Sequence, residues 1–173
     1  MLLARRLVEA GARLVHVNWP REGGDTAVDN PLWDTHAQNA DRLQDVLCPQ
    51  FDHTFPTLIE DLEARGLLDE TLVLCISEHG RTPRLTNRPG GGREHWSRVY
   101  SGVLAGAGIA RGRVVGKSDA IGADVADTPV SPKDILATSL YLLGVDPHTT
   151  VPDLLHRPVP VAGEGITRRE FLA

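Results

Sequence analysis

Three short segments concentrate side chains able to hold a metal ion: Trp33–His36 (WDTH), Ser77–Gly80 (SEHG) and Gly92–Trp96 (GREHW). Asp34, His36, Glu78, His79 and His95 together offer carboxylate oxygen and imidazole nitrogen. That mixture suits zinc or manganese better than calcium or magnesium, which prefer all-oxygen sets. Arg81, Arg84, Arg88, Arg93 and Arg98 crowd the same stretch. Guanidinium groups bind phosphate or sulfate through paired hydrogen bonds, so an anionic ester is the expected ligand class, with Arg81 and Arg93 as its candidate partners. Each segment also admits a plainer role. Asp34 is a good N-cap for a helix opening near His36. Glu78-His79 fits a solvated strand end, His95 a hydrogen-bonded core histidine, and the arginines a charge-balancing coat on a loop. Trp96 is read as packing. His16, His53, His148 and His156 stand without comparable neighbours and are read as structural or surface residues. Gly90-Gly91-Gly92 lacks the Lys-Ser/Thr ending of a phosphate loop, and no dinucleotide fingerprint is present to support an oxidoreductase.

Helices and strands must alternate to bring these segments together. Leu2, Leu3, Leu7 and Val8 share one face of a first helix that Gly11 would end. Residues 13–18 (RLVHVN) read as a short strand, and residues 19–33, rich in Pro, Gly and Asp/Asn, as a long loop. From His36 to Arg65 the chain is helix-forming, with Pro49 and Pro56 marking a break or restart and Gly66 in the position after the last turn. Residues 71–77 (TLVLCIS) give the strongest strand expectation, a continuous apolar run covered on both faces. The loop that follows, residues 78–98, lies where ligands bind in open α/β sheets, beyond a strand's carboxyl end. Residues 100–105 form a further strand. Ser131-Pro132 opens a helix that runs to Leu143 and is closed by Gly144. The alternation predicts an α/β architecture with helices packed on a mainly parallel sheet.

Composition sets the outer bounds. With 173 residues, 41% hydrophobic and 24% charged, the chain fits one soluble globular domain and excludes a fibrous or disordered class. A formal charge of −5 argues against general nucleic-acid binding. No apolar run approaches the ~20 residues of a membrane span, and the first residues carry no export signal, so the chain taken literally is cytoplasmic. Cys48 and Cys75 form no CxxC pair and read as unpaired core thiols. Arg168-Arg169 (TRREFL) stands at the wrong end, with no apolar run behind it, to act as a twin-arginine signal.

The segments LLARRLVEAGARLVHVNW, WDTHAQN, LCPQFDHTFPTLIEDLEARGLLDETLVLCISEHGRTP, GREHW, LAGAGI, PVSPKDILATSLYLLGVDP and HRPVP occur in this order. Together they resemble the C-terminal half of a sulfatase-like bacterial family, domain-of-unknown-function family fifteen-oh-one, placed in the alkaline phosphatase superfamily. The resemblance implies a three-layer α/β/α sandwich with a mainly parallel sheet, alkaline phosphatase-like and N-terminally truncated. Residues 1–173 would then be the C-terminal portion of one such domain. It implies hydrolysis of phosphate or sulfate esters with metal assistance in the full-length form, on a small molecule or a glycan. Asp34 and His36 resemble the superfamily's first Asp and His pair, Glu78-His79-Gly80 its Asp-His-Gly turn with Glu replacing Asp, and His95 the later histidine that completes the first metal. The superfamily's nucleophile comes from the N-terminal half, so no catalytic nucleophile is assigned and the chain is expected to be an inactive fragment. The resemblance also implies that full-length relatives are exported, to the periplasm or outside the cell. The rival expectation is a non-catalytic, metal-containing module that binds sulfated or phosphorylated glycans.

Overall fold

The computed structural model describes residues 1–19 and 32–173. Helix α1, Leu2–Glu9, ends where Gly11 takes a φ of 91°, a left-handed conformation that glycine adopts without strain. Its Arg5 is buried and donates to Asp61 of the long helix at 2.9 Å, while also pairing with Glu9 one turn on. That long helix is a continuous run: α2, Asn39–Arg42, a π-helical turn at Leu43–Leu47, and α3, Cys48–Ala64. The prolines expected to break it are absorbed. Pro49 cannot donate to the carbonyl four residues back, and the wider turn just before it, in which the Cys48 N–H reaches Leu43, takes up the mismatch. Pro56 lies inside α3 without ending it. Gly66, at φ 69°, terminates the run as expected.

Strand β1, Val73–Cys75, pairs antiparallel with β4, Val103–Ala105, in the register Val73 to Ala105. Strands β2, Gly80–Arg81, and β3, His95–Trp96, also pair antiparallel, as do β5, Lys117–Ser118, with β6, Val125–Asp127, and β7, Thr150–Pro152, with β8, Pro158–Pro160. Helix α4, Pro132–Leu142, stands between the last two pairs in sequence and opens with a complete capping box. The Ser131 hydroxyl accepts from the Asp134 N–H at 3.1 Å, and the Asp134 carboxylate accepts from the Ser131 N–H at 2.9 Å. Fully buried apolar side chains fall along the long helix and its flank (Leu47, Leu62, Leu68) and on α4 and the loop after β8 (Ala137, Ala162).

The three-layer α/β/α sandwich with a mainly parallel sheet is therefore not the architecture. Among the described residues the sheets are two-stranded and antiparallel. The physical reason lies in β1. A strand of a parallel sheet is covered on both faces, whereas Leu74 is 38% exposed and Ile76, just past the strand, 53%. The strand expected at residues 13–18 does not form either: those residues pair with nothing regular, and Leu14 is 88% exposed. The loop expected between Trp19 and Trp33 lies, at residues 20–31, outside the described residues. Cys48 and Cys75 are free thiols, but Cys48 is exposed rather than in the core. No described helix is long and apolar enough to cross a membrane.

Candidate metal centre

The site is assembled by a hairpin pressed against the start of the long helix. In the β2–β3 pair Arg81 stands directly opposite His95, so both side chains project from one face. The ladder continues outward through Thr82 N–H to Glu94 O at 2.9 Å and Thr86 N–H to Gly92 O at 2.9 Å. The far end of the hairpin then supplies acceptors to the helix: Gln38 N–H donates to Pro89 O at 3.1 Å and Asn39 N–H to Gly91 O at 2.9 Å. These carbonyls satisfy N–H groups that the first turn of α2 leaves without helical partners. Gly92 permits the approach, because a Cβ there would run into the carbonyl of His36. On the other side, Trp33 packs edge-on against Phe51 of α3 and against Trp19, and Thr35 is buried with its hydroxyl accepting from Asn39 at 2.5 Å. Asp34 is thus held between two anchored neighbours, and His36 directly follows one of them.

The outcome is a cluster centred on one carboxylate oxygen. Asp34 Oδ1 lies 2.9 Å from His95 Nε2 and 3.0 Å from His36 Nε2, and accepts a hydrogen bond from Arg81 Nη2. One donor atom each from Asp34, His36 and His95 fall within 4.8 Å of one another. Burial pushes the Asp34 carboxyl up. Hydrogen bonds from Arg81 and His95 and the charges of Arg81 and His36 outweigh it and bring the carboxyl down to about 2, so Asp34 is ionised throughout the neutral range.

His36 Nδ1 meets Glu94 Oε2 at 2.8 Å. Where that nitrogen carries the proton and donates to Glu94, a neutral ring turns its Nε2 lone pair toward the Asp34 carboxylate at 3.0 Å. Two acceptors at that distance require a positive species between them, either a second proton or a metal ion. A histidine that gives its far nitrogen to a carboxylate is also the usual outer-shell arrangement of a metal ligand. The two separations from Asp34 are near those of a filled site, and with the three ligand atoms spanning up to 4.8 Å the histidines would draw in around an ion. Bonds of ~2.0–2.1 Å to a tetrahedral zinc place ligand atoms about 3.3 Å apart, a few tenths of an ångström from the two distances found.

The remaining candidates take other places. His79 lies tilted against His95 with ring centroids 4.1 Å apart, and its nitrogens face Glu78 at 3.4 Å and the Gly80 carbonyl at 3.2 Å. Glu78 is largely exposed and is not among the three clustered ligands. Its carboxyl is lowered by a hydrogen bond from its own backbone N–H, against some burial, and by Ser77 and His79, while Asp34 raises it. Arg81 lies in the cluster, tethered to the carbonyls of Trp33 at 3.1 Å and Arg93 at 3.4 Å. Arg93 donates to the Thr82 carbonyl at 2.6 Å, bracing the hairpin. Asp34 is not a helix cap, since α2 begins at Asn39 after Gln38. Trp96 is packed and donates to the Ala123 carbonyl at 2.7 Å. His16, His53, His148 and His156 are exposed and join no such cluster among the described residues.

Sequence reasoning missed Glu94. It lies inside the GREHW segment, and the signal that could have found it is the need of any metal-bound histidine for an acceptor on its second nitrogen.

No curated protein and no solved structure matches the chain. A family model described as Protein of unknown function (DUF1501) matches residues 1–170, and the chain belongs to that family.

Proposed function

We propose that this chain carries a divalent-cation site, for zinc or manganese, belonging to a protein that hydrolyses phosphate or sulfate esters. The observation that carries the reading is the meeting of Asp34 Oδ1, His36 Nε2 and His95 Nε2, with Glu94 behind His36. A bound cation would polarise an ester oxygen and lower the pKa of a coordinated hydroxyl or water. The chain's own residues do the rest. Asp34 supplies the charge that holds the cation. Glu94 fixes the His36 ring so that Nε2 faces inward. Arg81 brings a second positive group to the edge of the site, where an anionic ester group would be met. His79, in tilted contact with His95, limits that ring's movement. None of the described residues is assigned as nucleophile.

Elemental analysis of the purified chain after incubation with zinc or manganese tests the site, with His95→Ala as comparison. One ion per chain, lost in the variant, is expected; no ion in the wild-type chain contradicts the reading. Assays with 4-nitrophenyl phosphate and 4-nitrophenyl sulfate on the metal-loaded protein then test the chemistry. Turnover that follows metal content supports hydrolysis. Metal bound with neither ester cleaved overturns hydrolysis by this chain on its own and leaves the cation site.

A further inference from the structure

Asp34 Oδ1 is shared by more partners than a metal ligand can keep. Arg81 Nη2 and the two histidine nitrogens all converge on that one oxygen. An oxygen offers two lone pairs, and a cation placed among the three ligand atoms takes one of them on the side the histidines occupy. It also sets a double positive charge within a few ångströms of a guanidinium, in a site where Arg81 is only 21% exposed and weakly screened. The cation and Arg81 therefore oppose one another at Asp34. Yet Arg81 is held by more than Asp34. Its guanidinium is also bonded to the Trp33 and Arg93 carbonyls, on two different segments. With the Asp34 bond weakened, it stays at the rim with unused N–H groups beside a cation.

We propose that Arg81 couples cation and oxyanion binding at this site: its guanidinium competes with the cation for Asp34, and a tetrahedral oxyanion spanning the two relieves that competition, so that each ligand tightens the other. The inference rests on reading the cluster as a cation site, and it adds that the site fills in pairs. Phosphate and sulfate share the tetrahedral geometry and the bidentate fit to a guanidinium. Coupling is reciprocal by thermodynamic necessity and typically amounts to 5–150-fold in affinity.

The test is titration of the chain with Mn²⁺, counting free ion by electron paramagnetic resonance. It is run in chloride, in sulfate and in inorganic phosphate at matched ionic strength, each referenced to buffer without protein. At least about a 5-fold tightening of Mn²⁺ binding by one or both oxyanions is expected, and the two arms identify which. In chloride, Arg81→Gln should bind Mn²⁺ more tightly than wild type and show no oxyanion effect. Arg81→Lys keeps the charge but not the planar fork, so it should bind Mn²⁺ as wild type does with reduced coupling; it carries the test if the glutamine variant fails to fold. Mn²⁺ affinity in wild type that neither oxyanion changes, or weaker Mn²⁺ binding by folded Arg81→Gln in chloride, overturns the coupling and leaves the cation site standing. Absence of Mn²⁺ binding by wild type in all three buffers overturns both.

Discussion

Asp34 and Asp134 are each held ionised by their surroundings, but by groups of different kinds. Asp134 is 12% exposed and accepts mainly from the main chain: Ser131 N–H at 2.9 Å and Ile166 N–H at 3.0 Å, with the Arg168 guanidinium 3.9 Å away. Burial pushes its carboxyl up, and those hydrogen bonds, the Ser131 hydroxyl and the Arg168 charge bring it below the usual range. Asp34 is 38% exposed and faces an arginine and two imidazoles instead. Backbone donors cannot change protonation state or leave, so Asp134 is committed to joining the start of α4 to residues 166–168. The partners of Asp34 are side chains, two imidazoles that can turn and a guanidinium that has other acceptors, so that carboxylate is free to exchange a hydrogen bond for a cation. The contrast teaches that partner chemistry, more than burial or a lowered pKa, separates a structural carboxylate from a candidate ligand.

Neutralising each aspartate should break the two regions in different ways. Asp34→Asn should abolish zinc binding, exceeding the ~10–100-fold loss that follows removal of an outer-shell partner. Asp134→Asn should leave zinc affinity unchanged, as calorimetric titration of both variants can show. Glu94→Gln tests the outer shell: zinc affinity should fall ~10–100-fold with little change in the denaturation midpoint. Asp134→Ala removes a helix cap and strands the Ile166 N–H, and should lower stability by about 2 kcal/mol in urea titrations.

Acid extends the same contrast. Because the folded Asp134 carboxyl lies below its unfolded value of ~3.9, its contribution is complete above that value. It is lost as pH falls through the folded value. Asp134→Ala should therefore flatten the decline in stability below about pH 4, read from denaturation midpoints across that range. Smallest of all, Lys133→Ala removes only an exposed pair with Glu164, at 3.2 Å, and should change stability by less than ~1 kcal/mol.

Much of the candidate site was legible because its residue types are unusual together. WDTH and GREHW announced Asp34, His36 and His95, and the glycine-rich stretch between SEHG and GREHW is the hairpin that brings them to one place. SEHG was legible only in part, since His79 lies tilted against His95 beside the cluster and Glu78 is largely exposed, outside the three clustered ligands. Helix α4 was legible for a local reason: Ser131, Pro132 and Asp134 specify a capped start without tertiary help. The sheet was not. Residues 71–77 are apolar and β-branched enough for a covered strand, but how many strands pair, and in which direction, depends on partners distant in sequence. Only Val73–Cys75 pairs, and with an antiparallel neighbour. Residues 13–18 show the same limit, since this β-rich stretch meets no partner strand among the described residues. The continuity of the long helix was illegible because a π-helical turn, unmarked in sequence, accommodates Pro49.

The most direct test of the central claim is isothermal titration calorimetry of the chain with Zn²⁺, for wild type and Asp34→Asn. One ion bound per wild-type chain and none by the variant is the expected result. Equal zinc binding by the two proteins, or none by the wild-type chain, would contradict that claim.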